Sequence, residues 1–487
     1  MHHAERSTGQ WMAPANTKEP RMARASGLKA ALGGMPVSKR IATLAVLAAI
    51  AAVALSDAPL VGVAAISIAA IALFATRALP EPVTAAATFL AFLAISAAPP
   101  DVIFSGFAAG GFWLLFSGLV IGTAISTTGL ARQIALRIFQ RTGASYARAV
   151  WLLGTGGFLL GLLVPSAIPR VIVMMPITLA LAEAMGFRPG SRGMVGLTIT
   201  SAMTTLVPTY VFLTANLPTI VQFGAMETIY GVSTTFTGYL LYQLPVNLMR
   251  MVVLMAALLL LMRGAAGTPG GDDGVEAPKP LDTAQKRLLA ILVVAILLWV
   301  SDFAHGISPA WVALAAAATL LAPPLGIMEN TAMKKEIDLS PAFFIAAVFA
   351  VSAVAVHSGL SDAFADAVIP RLGLGEGGTL RDLYSVVGFS TLISHLTTAP
   401  ATPVVLAPLA QPIADAAGWP LETVAMAQVI GIATTVLPYQ APPLVLAIAL
   451  AGIPVAALTR VCLILAAAVI FPGVPLTWAW WTLLGYF

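Results

Sequence analysis

From residue 41 to residue 471 the chain strings together apolar runs that hold almost no charge, at approximately 41–56, 61–76, 83–98, 109–127, 193–225, 236–262, 287–301, 308–324, 341–357, 421–450 and 455–471. A bilayer-spanning helix takes about 20 predominantly apolar residues. The runs therefore predict about 11 spans, several of which must extend into flanking residues or be broken inside the membrane. A soluble body is excluded. The chain is 59% hydrophobic and 9% charged, with a mean hydropathy of +0.93, whereas a soluble domain carries about 25% charged residues to coat its surface. In hydrocarbon every backbone polar group must be paired internally, so the fold class is an all-α polytopic membrane protein.

Charge placement orients the spans. Residues 1–40 are polar and basic, with Arg6, Lys18, Arg21, Arg24, Lys29, Lys39 and Arg40 against Glu5 and Glu19. They read as a cytoplasmic N-terminal tail; a cleaved signal peptide is the alternative, but no small-residue cleavage signal closes the first apolar run. With that tail inside, the loop holding Arg132, Arg137, Arg141 and Arg148 falls inside, as does the segment with Lys279, Lys286 and Arg287. The loops near Asp57, Asp101, Glu227 and Asp302 fall outside and carry no nearby Lys or Arg, which fits the positive-inside rule. Only 358–389, with Arg371 and Arg381, breaks the pattern. Residues 41–60 form an extra first span, and 264–286, rich in Gly, Pro and Asp, form a cytoplasmic linker between two halves. Residues 476–487 form an extracytoplasmic, interfacial C-terminus anchored by Trp478, Trp480 and Trp481. The expected location is the cell (inner) membrane. The single cysteine, Cys462, permits no internal disulfide.

The two halves, 61–263 and 287–475, are related. GFWLLFSGLVIGTAISTTGLARQIA in the first corresponds to PAFFIAAVFAVSAVAVHSGLSDAFA in the second. Pro176 pairs with Pro408, Glu183 with Asp415 and Gly186 with Gly418, each 232 positions apart (408 minus 176). TTLVP at 204–208 then matches TTVLP at 434–438. Each half has an odd number of crossings plus a Pro-rich apolar segment, 146–185 or 390–417. Those segments read as re-entrant helical hairpins, with two ordinary spans apiece as the alternative. An odd number inverts the second copy, which predicts an inverted-topology repeat with two hairpins and two broken helices.

Candidate ligand contacts cluster at the proline-broken places. Pro165-Ser166-Ala167-Ile168-Pro169-Arg170 makes a hairpin turn, since two prolines four apart do not fit an unbroken helix. Arg170 is an arginine within apolar membrane sequence, a functional-site hypothesis by default, and its fork suits a carboxylate or sulfate. Snorkelling or an ion pair with Glu183 is the structural alternative. In the second hairpin, Thr398 and Thr402 offer hydroxyls beside a broken turn. His395 and His357 can bind anions or protons or serve structure alone. The matched TT-x-x-P segments supply Thr204, Thr205 and Thr209, and Thr434, Thr435, Tyr439 and Gln440, with Asn216 nearby. Threonines often bond only to their own helix carbonyls. Substrate contact is assigned to Ser166, Arg170, Thr209, Thr398, Thr402, Tyr439 and Gln440, and cation coupling to Ser166, Thr204, Thr205, Thr398, Thr434 and Thr435. The sequence holds no phosphate-binding Gly-rich loop, His/Cys metal cluster or Ser/His/Asp arrangement. Neither an enzyme nor a nucleic-acid binder is expected, and no cofactor beyond sodium or a proton as coupling ion.

These segments resemble the divalent anion:sodium symporter family, the sodium:sulfate or dicarboxylate symporters of the ion transporter superfamily, over roughly residues 60–475. The stretch GLVIGTAISTTGLARQIA and both hairpins carry the likeness. The resemblance implies a homodimer with a scaffold and a mobile transport domain, elevator-type movement, and a small divalent oxyanion such as a dicarboxylate, citrate or sulfate. It also implies two Ser-Asn-Thr motifs at the substrate, with sodium held by the hairpin tips and unwound helices. Here those motifs fall on Ser166, Ala167 and Ile168 and on Thr398, Ala399 and Pro400, so both amides are absent. That departure, together with Arg170, leaves sodium coupling, proton coupling and exchange open. A channel or proton-linked antiporter on a related inverted scaffold, and a non-transporting membrane receptor, are the alternative functions.

Overall fold

The computed structural model of the protein describes residues 35–139, 145–164, 166–262, 277–323, 327–328, 332–375 and 377–487. Most of the expected tail (1–34), part of the expected linker (263–276) and Pro165 lie outside the described residues. Among the described residues the chain is helical, with no strand, and ten helices are long and apolar enough to cross a membrane.

The main helices are α1 Val37–Leu55, α2 Pro59–Thr76, α3 Glu81–Ala94, α4 Gly110–Thr127, α5 Leu130–Phe139, α6 Tyr146–Leu163, α7 Ala167–Ala184, α8 Arg192–Thr204, α9 Leu217–Tyr230 and α10 Phe236–Leu261. The second half brings α11 Thr283–Val300, α12 Pro309–Leu321, α13 Ser340–His357, α14 Leu360–Leu372, α15 Leu380–Leu396, α16 Ala410–Ala417, α17 Leu421–Ile432, α18 Pro442–Ala451, α19 Val455–Ala468 and α20 Val474–Leu484. From α2 onward the two halves follow the same plan, each with a helix pair, a long helix, a short helix, a hairpin and a broken helix.

Backbone detail supports the duplication. Gly129 and Gly359, which follow α4 and α13, both adopt left-handed φ, at +69° and +79°. Gly186 and Gly418, which end the hairpins, do so as well, at +78° and +66°. A side chain with a Cβ is strained there, so glycine is the residue that lets the helix end and the chain turn.

The breaks have a local cause. Pro208 lacks an N–H, and its ring collides with the carbonyl four residues earlier, on Thr204, which is where α8 stops. Pro438 stands in the same relation to Thr434, just beyond the end of α17. A one-turn 3-10 segment follows in each case, Pro208–Val211 and Pro438–Gln440, before α9 and α18 resume.

Packing repeats across the halves. Helix α4 lies on α12, and its counterpart α13 lies on α3. The second hairpin arm α7 packs on α18, and the corresponding Pro403–Leu409 segment packs on α9. The broken stretch Arg192–Val211 is 94% buried and forms the centre, whereas α1 is 11% buried and lies at the periphery against α2.

Two boundaries differ from expectation. The second hairpin's first arm begins at Leu380, ten positions before 390, because Thr379 and Asp382 form a capping box there. The segment expected as an interfacial tail is helix α20, continuous with α19 through a π-turn at Val469–Gly473. Trp481 is fully buried and donates to the Tyr242 carbonyl at 3.0 Å, while Trp478 donates to Gly378 and Trp480 to Leu241. Each of the three indole N–H groups thus donates to a backbone carbonyl, and only Trp481 is fully buried.

Candidate functional site

The first break is built around Arg170. Its helix, α7, starts just after the hairpin turn, so the side chain in its first turn faces the break instead of the surface; Arg170 is 1% exposed. Its Nη2 donates to the Ala215 carbonyl at 3.0 Å, to Asn216 Oδ1 at 3.1 Å and to Thr209 Oγ1 at 3.4 Å. Asn216 Nδ2 donates to Thr209 Oγ1 at 3.1 Å, and Thr209 in turn donates to the Leu206 carbonyl. One edge of the guanidinium is thereby held by three oxygens of the unwound segment. The other two nitrogens, Nε and Nη1, are buried with no partner among the described residues. Among the described residues none of its hydrogen-bond partners is a carboxylate, Glu183 is exposed, and the buried guanidinium does not snorkel. Gly161 on α6 makes the room: a Cβ there would stand 2.3 Å from Thr209 Cγ2 and 2.9 Å from Arg170 Nη1.

The second break is built around Gln440. The hairpin tip hangs on it, since Ala399 N–H donates to the Gln440 carbonyl at 3.2 Å. The side-chain Oε1 accepts from the Val436 and Leu437 N–H groups, both at 2.8 Å. Those two donors fix which end of the amide is oxygen, and the remaining Nε2 is buried and unpaired. Arg170 and Gln440 thus each present unpaired buried donor nitrogens, one residue on each break. A buried donor without a partner costs about 1–3 kcal/mol, so such groups call for an explanation, and a ligand of acceptor character supplies one.

A third group was missed by the sequence reading. Arg250, in the middle of α10, is 1% exposed. Its Nη1 donates to Asn247 Oδ1 at 2.8 Å, and its Nη2 donates to the Ile430 carbonyl at 3.2 Å and Thr434 Oγ1 at 3.3 Å. It therefore sits on the second break as Arg170 sits on the first. Arg250, Thr434 and Thr435 line a small cleft with Met203 and Val207 from the first break. An arginine inside a 26-residue apolar helix is the same signal that singled out Arg170.

The model of the sodium:sulfate symporter transmembrane region matches residues 35–487. The chain belongs to the sodium:sulfate symporter family. Similar proteins include one named only as a membrane protein in Cupriavidus necator, 26% identical over 69% of this chain and 68% of the relative. The inner membrane protein YbhI of Escherichia coli is 25% identical over 55% of this chain and 60% of its own length. An L-tartrate/succinate antiporter of Escherichia coli is 25% identical over 40% of this chain, which spans 42% of that relative. The fold is that of the Alcanivorax borkumensis YdaH transporter, with a TM-score of 0.55 and 19% identity over 79% of this chain and 88% of that one. Neisseria gonorrhoeae MtrF shares it, at 0.53 and 15% over 89% and 96%. The protein is thus a multi-pass member of a transporter family, not an enzyme.

Within this member of the symporter family the expected site residues divide. Arg170 and Thr209 meet directly, and Gln440 meets the second hairpin tip. Thr402 Oγ1 is turned onto the Thr398 carbonyl at 3.0 Å, and Tyr439 is half exposed, its hydroxyl on the His395 carbonyl. Thr204 and Thr205 bond back to their own helix, at the carbonyls of Thr200 and Ala202. Thr434 bonds back to Ile430 and also accepts from Arg250, while Thr435 is buried beside it. Ser166 is the N-cap of α7 and makes no side-chain capping bond.

Proposed function

We propose that the protein is a secondary transporter of a dicarboxylate-like anion, held between the two breaks by Arg170 Nε and Nη1 and by Gln440 Nε2. The observation that supports this reading is the pair of unpaired buried donor sets, one on each break. Charge-assisted hydrogen bonds from a planar guanidinium fit a carboxylate bidentately. The lost Ser-Asn-Thr amides at Ala167 and Ala399 are replaced functionally by these two groups. The relative named for L-tartrate and succinate points to the same substrate class.

In this reading the hairpins and broken helices α6–α9 and α15–α18 move together against the remaining helices, which alternates access by an elevator-type displacement. At the seam between them Gly111 on α4 lies against Gly224 on α9, and Gly224 against the Phe349 ring on α13, while Arg250 on α10 bonds across it to Ile430 and Thr434. The homodimer, the inner-membrane location and the cytoplasmic N-terminus belong to the same proposal.

The test is a thermal-stability screen of purified protein against succinate, L-tartrate, citrate, sulfate and acetate, followed by flux of the best ligand in proteoliposomes. Binding raises apparent stability by about 2.7 kcal/mol at a hundredfold excess over the dissociation constant. Stabilisation by dicarboxylates and not by acetate, with saturable flux, is expected. Unsaturable flux uncoupled from any second solute would instead indicate a channel.

A further inference from the structure

Glu227 stands near the outer end of α9, beyond the apolar run 193–225, and is half-buried against the first turn of α4. Two glycines let the helices meet there. A Cβ on Gly110 would stand 2.9 Å from Glu227 Oε2 and 3.1 Å from Oε1, and one on Gly111 would stand 2.6 Å from Gly224 Cα. The carboxylate thus rests on the positive end of α4, where the Gly110 and Gly111 N–H groups favour its charged form. Burial acts the other way and outweighs them, which holds the carboxyl above the ordinary carboxylate range. The elements packed most closely on α9 are α4, α13, α17 and the Pro403–Leu409 segment. Their titratable side chains are His357, which ends α13, and Glu422, in the first turn of α17, which accepts from Thr234 Oγ1. On α9 itself Tyr230 donates to the Pro408 carbonyl. A cleft of about 40 Å³ reaches Glu227 past Ser233, Thr234 and Ser308, and no Lys, Arg or His is among its lining residues. That is room for a water, which can deliver a proton.

We propose that Glu227 is a proton site, and that the helices cross only when a proton neutralises this carboxylate. This rests on the reading above, in which α9 moves and α4 does not. A shift of α9 by about one turn takes Glu227 to the place where Gly224 now packs on the Phe349 ring. A charged carboxylate would give up both amides and enter an apolar contact, a costly step; the protonated form is neutral. The same seam lies on the way back, so a proton is a required second solute in each direction.

The experiment has two parts. Wild type and Glu227→Gln are melted without anion from about pH 5 to about pH 8. A carboxyl raised by burial loses stability as pH rises, so the wild-type melting temperature should fall relative to the variant. A constant difference overturns the proposal whatever the substrate proves to be. Succinate exchange is then measured in proteoliposomes with both sides at about pH 6 or both at about pH 8. Wild type should exchange on the order of tenfold faster at the lower pH, and Glu227→Gln should be equally fast at both to within about twofold. Titration of succinate itself is common to both proteins. The same pH dependence in both, or a folded Glu227→Gln that exchanges at neither pH, overturns the proposal. Absence of succinate flux in wild type at every pH fails the dicarboxylate reading instead, and the melting result then decides the proton site alone. If Glu227→Gln does not fold, Gly110→Ala serves: it crowds the carboxylate off the amides and should carry the fast exchange to higher pH, and an unshifted pH profile overturns the proposal.

Discussion

Replacing Arg170 with lysine keeps the charge and removes the fork. In the native site Nη2 alone satisfies Ala215, Asn216 and Thr209, which leaves Nε and Nη1 for the anion. A lysine has one nitrogen for both tasks. If it stays on the break oxygens, the anion loses two charge-assisted hydrogen bonds, each contributing about 1.5–3 kcal/mol. The retained charge recovers part of that, so a net loss of about 2–4 kcal/mol is expected, or roughly 30- to 1,000-fold in affinity. Titration of the thermal midpoint with succinate measures it. A succinate affinity for Arg170→Lys within threefold of wild type would refute the assignment of Nε and Nη1 to the ligand.

Arg170→Met separates binding from folding. It removes two unpaired donors, each costing about 1–3 kcal/mol when buried, but leaves the Ala215 carbonyl and Asn216 Oδ1 without their donor at a similar cost. Stability without anion should therefore stay close to wild type while succinate binding is lost. A collapse of the ligand-free melting temperature would show that the guanidinium holds the break together and does nothing more.

Gln440→Glu should leave the Val436 and Leu437 N–H groups satisfied but replace the free donor with an acceptor, so melting temperature holds and anion stabilisation disappears in the thermal screen. Gly161→Ala drives a Cβ into Thr209 and Arg170 and should cost about 1–3 kcal/mol, read as a lowered melting temperature, whereas Gly122→Ala, with nothing within 4 Å of its added Cβ, should be neutral or slightly stabilising. Asp302, the first residue of the short helix Asp302–His305 in the other half, accepts from the Phe236 and Thr237 N–H groups and so caps α10. Asp302→Ala should cost about 1–2 kcal/mol in the same assay without altering the dissociation constant for succinate.

The parts of this fold that were legible in the sequence are those with local causes. Prolines stop helices within one turn, which is why the breaks after Thr204 and near Thr434 could be placed from TTLVP and TTVLP. Glycines at matched positions mark the same helix ends in both halves. Spans follow from apolar length. What could not be read is direction. Thr204, Thr205 and Thr402 had the right chemistry for a ligand, yet their hydroxyls are turned onto their own backbone, a choice made by rotamers and packing. Arg250 was missed for a related reason. Its partners Ile430 and Thr434 lie 180 and 184 positions away, so nothing beside it in the chain announces the break it serves.

The location of Arg250 also changes what the asymmetry between the halves means. By sequence the asymmetry lay at the hairpin tips, where Arg170 stands against Thr402 at the 232-residue spacing, and the second half had no charge of its own there. The structure supplies that charge from outside the second half, from a helix that ends the first. Each break then carries one guanidinium, but among the described residues only that of Arg170 has terminal and inner nitrogens buried without a partner. Arg250 has both terminal nitrogens engaged, and so acts on a ligand through its field; Arg170 acts through contact. A site so divided can orient an anion at one end and balance charge at the other. Specificity should therefore follow the geometry of the carboxylate on Arg170, while the need for two negative charges follows from Arg250.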